Sequence, residues 1–233
     1  VALCMLFDGD WIQSLIVYIS TFIGFYTRRN MVLRHYNHLM AFFVASTISI
    51  SIIHFAGQFF NVEIKQALIV SILYLIPGVV MINSFIDYLE GYFESGTARF
   101  IYFSMAIFML AFGFFVSNTI FSLPFVNGIN GLDFSSLQTW AVEAYQPSGF
   151  ALHASKLIFG GITSLGFALI FNTSKRAMWT VFLLGSVGYY IKYLLFNECD
   201  VNLILSIFAA SSFVGISGMY FAQRAHTPPV LFL

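Results

Sequence analysis

Long apolar runs alternate with short polar breaks along the chain, and most runs are long enough to form a helix that crosses a bilayer. Such a helix needs about 20 predominantly apolar residues. On that measure residues 11–27, 38–56, 64–86, 98–122, 150–171, 177–196 and 201–222 predict seven complete spans. Residues 1–7 look like the tail of a further span and 228–233 like the start of another, so the sequence reads as a segment of a longer protein cut at both ends. The links are short except for 123–149. That stretch holds Pro124, Asn127-Gly128 and Asn130-Gly131, all turn signals. Within it Asp133 is placed to cap a short surface helix with Leu137, Trp140, Ala141, Ala144 and Tyr145 on one face; a solvated loop fits equally well.

The third span departs from the pattern. Residues 76–100 read IPGVVMINSFIDYLEGYFESGTARF, an apolar run that meets Pro77-Gly78 and then gains charge. Pro77 has no N–H to donate, and its ring clashes with the carbonyl of Leu73, so the helix 64–86 is expected to kink or break there. Beyond the break Asn83, Asp87, Glu90 and Glu94 follow at spacings of four, three and four, one stripe of a single helix. The second half is then an amphipathic half-helix. Its first N–H groups, near Val79 and Val80, lack partners and carry partial positive charge, as in the anion sites of many transporters. A plain proline kink is the competing account, with Glu90 and Glu94 marking the cytoplasmic end and Arg99 a snorkelling anchor.

Composition supports membrane burial. The chain has 233 residues, 59% of them hydrophobic and 9% charged, against about 25% charged in soluble domains. Net charge is zero, so nothing indicates a nucleic-acid surface. Cys4 and Cys199 have no metal-ligand spacing, no metal or other cofactor is expected, and residues 1–233 show no cleavable-signal pattern of basic start, apolar middle and small-residue site. Cytoplasmic loops collect Lys and Arg. Alternate crossings place Arg28, Arg29, Arg34, Arg99, Lys175, Arg176 and Arg224 on one side and only Lys65, Lys156 and Lys192 at or near the other. The 28–37 loop is therefore assigned to the cytoplasm, and Asp8, Asp10, Glu63, Glu198, Asp200 and the 123–149 loop to the outside. Gly160, Gly161 and Gly166, then Gly185 and Gly188, then Ser211, Gly215 and Gly218 mark close helix packing or a moving interface.

The stretch from Ile76 to Arg99 resembles the signature of the bacterial threonine/serine exporter family: Pro77-Gly78, Asn83, an Asp-x-Leu-x-Gly element (Asp87, Leu89, Gly91) and a Ser-Gly-x-Ala-Arg end (Ser95, Gly96, Ala98, Arg99). FDGDW at 7–11 is similar to the turn that opens the family's first membrane unit, and Gly166 to Leu195 and the closing HTPPVLFL to its second. Tyr88 departs from the aliphatic residue expected there. The resemblance implies a first membrane unit over 1–122, an outward connecting loop over 123–149 and an incomplete second unit over 150–233, related as inverted repeats. It further implies an exporter of small hydroxy-amino acids driven by protons, or, in a second branch, of a dicarboxylate such as succinate. Pro77, Gly78, Val79, Val80 and Asn83 are then the expected cargo site, and Asp87 and Arg99 the groups for proton coupling or gating. Asp87 stands eight residues from Val79, about 12 Å along a helix, too far for one small amino acid to bridge. The expected partners are the small-molecule cargo, protons and membrane lipid; a homo-oligomer or a second chain stays open.

Two other classes compete. GISG at 215–218 matches the Gly-x-Ser-Gly of intramembrane serine proteases, but a nucleophilic serine needs a nearby base, and His54, His153 and His226 fall near span ends without a companion motif. A passive channel or structural subunit differs from an exporter in needing no proton gradient. Lys156 and Lys192 are snorkelling anchors or the lining of an outer vestibule.

Overall fold

The computed structural model describes residues 1–7, 9–60, 64–121, 149–171 and 173–225, and all regular elements among them are helical. They are α1 (Ala2–Leu6), α2 (Trp11–Leu33), α3 (His38–Phe60), α4 (Lys65–Leu73), α5 (Gly78–Leu89), α6 (Phe93–Phe121), α7 (Phe150–Ile170), α8 (Lys175–Tyr193) and α9 (Leu203–Ala225), with a π-helical turn over Leu194–Glu198. The 123–149 loop, except Gly149, and the 228–233 run lie outside the described residues.

Among the described residues five helices are long and apolar enough to cross a membrane, or six when the bent pair α4 and α5 counts as one span. Seven complete and two partial spans are expected from the sequence; five or six meet this measure among the described residues. α2 has the length, but Gln13, Ser14, Ser20, Thr21, Thr27, Arg28 and Arg29 make it too polar for that class. The helix at 1–7 is only five residues long.

The chain divides into two compact units, one carrying α2 to α6 and the other α1 with α7 to α9. In the first, α3 packs on both α2 and α6, α4 lies against α2 and α3, and α5 rests on α6. The inward face of α3 is small and polar enough for close approach: Ala41, Ala45, Ser46, Ser49 and Gly57 are all buried. Its contacts to α2 are tied by Ser20, whose hydroxyl donates to the Ser49 carbonyl at 2.7 Å. Ser51 and Ser117 join α3 to α6 at 3.0 Å. The turn from α2 to α3 is short and fully bonded. His35 takes a left-handed φ of 59°, Tyr36 N–H reaches the Met31 carbonyl at 3.1 Å, and Asn37 Oδ1 accepts from Leu39 N–H at 2.8 Å.

In the second unit α8 packs on α7 and α9, and α1 on α7. Tyr189 donates to the Leu6 carbonyl at 2.7 Å, which ties α1 to α8. Gly160 meets the α8 backbone closely, with Gly185 O 3.2 Å from where a Cβ would stand, as its spacing predicts. Gly166 faces open space and takes no part in that packing.

Sidedness has a direct test. Cys199 is exposed and Cys4 buried, so a membrane-impermeant maleimide has one native target. We expect Cys199 to label in intact spheroplasts. A Tyr36→Cys variant in a Cys199→Ser background should label only after permeabilisation. Labelling of both from outside sinks the topology.

Candidate functional site

α4 and α5 meet at a bend of 61°. The break is wider than the Pro77-Gly78 pair: α4 ends at Leu73, and four residues, Tyr74 to Pro77, separate it from α5. Pro77, at φ −79° and ψ 63°, forms an inverse γ-turn in which Gly78 N–H donates to the Ile76 carbonyl at 2.9 Å. The unwound segment is held in the core. Leu75 is 1% exposed and packs with Phe42, Ala45, Ala106 and Leu110, flanked by Tyr74 and Ile76. Irregular backbone at membrane depth is tolerated where protein surrounds it in this way.

The first turn of α5 holds fewer free donors than its sequence predicts. Gly78 N–H is spent in the γ-turn, and the N–H groups of Val80 and Met81 both donate to the Pro77 carbonyl, at 3.2 and 3.3 Å. Val79 N–H has no acceptor among the described residues. Pro77, Gly78, Val79 and Val80 are partly buried, and the space beside the Gly78 Cα is open. Asn83, one turn on, is partly buried, and its amide has no partner among the described residues.

The other end of α5 corrects the expected stripe. The helix stops at Leu89, so Glu94 lies in the first turn of α6 and not on the face of Asn83 and Asp87. Gly91 supplies the stop with φ 85°; Tyr92 N–H reaches the Asp87 carbonyl at 2.8 Å and Gly91 N–H the Tyr88 carbonyl at 3.2 Å. Those two bonds are the Schellman closure of a helix.

The chain then folds back as α6, and the Ser-Gly-x-Ala-Arg residues close on α5. Ser95 Oγ donates to Asp87 Oδ2 at 2.7 Å. Arg99 Nη1 stands 3.3 Å from Asp87 Oδ1 and 3.1 Å from Oδ2. The Asp87 side chain is 14% exposed and that of Arg99 45%, so the carboxylate sits inside the corner and the guanidinium at its rim. Buried Ser84 donates to the Gly96 carbonyl at 2.7 Å, and Tyr88 to Thr97 Oγ1 at 3.1 Å. The structure thus brings Asp87 and Arg99 together and places Pro77, Gly78, Val79, Val80 and Asn83 along the other end of the same short helix. Spacing on one helix hid Ser84, Ser95 and Gly96, whose roles appear once α6 folds back.

On the bundle side of the break, the Tyr74 hydroxyl lies 3.5 Å from Ser49 Oγ, and the Arg28 guanidinium sits 4.4 Å above the centre of the Phe42 ring. In the second unit Lys156 is 5% exposed, with its ammonium 5.9 Å from the Tyr193 ring, so it is no surface anchor. Lys192 lies over Tyr189 at 5.1 Å. Ser217 bonds to no histidine, and no three metal-ligating side chains converge, among the described residues.

A family model described as a threonine/serine exporter matches residues 1–121, and a second, described as Threonine/Serine exporter, ThrE, matches residues 156–233. No solved structure matches the chain.

Proposed function

Because the chain belongs to the threonine/serine exporter family, and is thus a multi-pass transport protein of the bacterial inner membrane for small polar solutes and not an enzyme, we propose that it exports threonine and serine at the expense of the proton gradient. In this reading α2 makes a further crossing, for seven in all.

The observation that carries the reading is the short helix α5, with an N–H that has no acceptor among the described residues at one end and a charge-paired corner at the other. The cargo carboxylate approaches the break, where Val79 N–H and the positive end of the helix favour an anion. Asn83, about 6 Å further along the axis, reaches the amine or hydroxyl of the same small molecule. Asp87 is too far away to take part in binding. It serves as the proton acceptor and gate: a proton on its carboxylate removes the charge that holds Arg99 and frees α5 to move against α6.

Counterflow in proteoliposomes tests this. Labelled threonine and serine should exchange against unlabelled cargo, and an imposed proton gradient should raise net export. Exchange of labelled succinate in their place assigns the dicarboxylate branch. Flux that ignores the gradient makes the protein a channel.

A further inference from the structure

We propose that Arg28 is the group that receives the cargo's carboxylate on the bundle side of the break. This deepens the reading above, which leaves the carboxylate only Val79 N–H and the helix end. Three arginines lie close together at the end of α2, and they are not alike. Arg29 and Arg34 are exposed, as membrane-surface cations should be. Arg28 turns inward. It continues the buried stripe of α2 that runs through Gln13, Val17, Ser20 and Gly24, at spacings of four, three, four and four.

The guanidinium carbon lies 4.4 Å from the centre of the Phe42 ring, a ring 1% exposed that packs in the same cluster as Tyr74, Leu75 and Ile76, the residues leading into Pro77. The phenols of Tyr102 and Tyr74 are its electrostatic neighbours. A guanidinium held over an aromatic ring can still present its N–H edge to an anion. No carboxylate or carbonyl accepts from that edge among the described residues. Arg99 makes the contrast: it is 45% exposed and yet has Asp87 as its counter-ion. A permanent cation drawn inward with no fixed anion among the described residues is suited to one that arrives as ligand. A planar carboxylate is the anion whose geometry matches the guanidinium fork. Tyr74 couples this position to the break: it precedes Leu75 and Pro77 in the chain, and its hydroxyl lies 3.5 Å from Ser49 Oγ.

The chemistry is shared by the carboxylate of an amino acid and either end of a dicarboxylate, so the test carries an arm for each. Purified wild-type protein is treated with phenylglyoxal in the presence of threonine, succinate or threoninol, which lacks the carboxylate. Modification of Arg28 and Arg29 is followed by peptide mass spectrometry. Threonine or succinate should slow reaction at Arg28 by about 10-fold or more, the protection expected of a charge-assisted pair. Threoninol should not, and Arg29 should react alike in every arm. Protection by threonine identifies an amino-acid cargo and protection by succinate a dicarboxylate; either supports the proposal. Equal reaction of Arg28 in all arms, no reaction of Arg28 at all, or equal protection by threoninol overturns it. Protection by a carboxylate in a protein that exchanges none of the three cargoes in counterflow would sink the exporter reading and leave this one standing. In an exporter of threonine, Arg28→Gln should raise the KM for counterflow by about 10- to 100-fold, with part restored by Arg28→Lys.

Discussion

Leucine at position 96 should abolish transport, while alanine there should leave most of it. A Cβ on Gly96 would stand 3.0 Å from Tyr88 Cδ1 and 3.1 Å from the Ser84 carbonyl oxygen. Alanine asks both the Tyr88 ring and the Ser84 carbonyl to give by only a few tenths of an ångström. Leucine adds three more carbons against a neighbouring backbone that cannot move alone, so α5 and α6 must separate. Overpacking of this kind costs about 1–3 kcal/mol. Separation also breaks the bond from buried Ser84 to the Gly96 carbonyl, for about 1 kcal/mol more. The corner is where Ser95 and Arg99 meet Asp87, so a shift there undoes the charge pairing along with the packing. Counterflow and thermal stability should fall together for Gly96→Leu. Wild-type flux in that variant would mean that α5 works without α6.

Much of this hairpin was legible in the sequence, and what was not has physical causes. Pro77-Gly78 announces a break, because a missing N–H is a property of the residue itself. The extent of the break is not such a property. It opens at Tyr74 because Leu75 leaves the helix to enter the core between α3 and α6, and only the folded chain has that core. The stripe through Glu94 assumed that the helix ran on. Gly91 in a left-handed turn ends it, and a single glycine in a helical pattern is ambiguous between interior and stop. Arg28 is visible in the sequence, where it counts only as one of the seven cations assigned to one side. Counting charges gives sidedness, whereas helical spacing from Ser20 and Gly24 separates Arg28 from Arg29. α2 is left out of the apolar spans for a related reason: its buried polar stripe lowers the apolar content by which a span is recognised.

Asp87→Asn should leave cargo exchange intact and abolish accumulation driven by the proton gradient. The pair with Arg99 is partly open to solvent, and such pairs contribute about 0.2–1 kcal/mol, so the fold survives the change. The amide keeps the shape of the side chain, and its oxygen still accepts from Ser95 or Arg99. It cannot take up and release a proton. One charge moved across 100 mV is worth about 2.3 kcal/mol, roughly a fifty-fold concentration ratio. The variant should lose that ratio in proteoliposomes under an imposed gradient while its counterflow KM stays near wild type. Asn83→Ala should do the reverse, with a weaker KM and an undiminished ratio, because Asn83 stands one turn from the break and Asp87 about 12 Å beyond Val79. An equal loss of exchange in both variants would refute this division of labour. A wild-type ratio in Asp87→Asn would remove Asp87 from the coupling step and reduce its contact with Arg99 to a fastening between two helices.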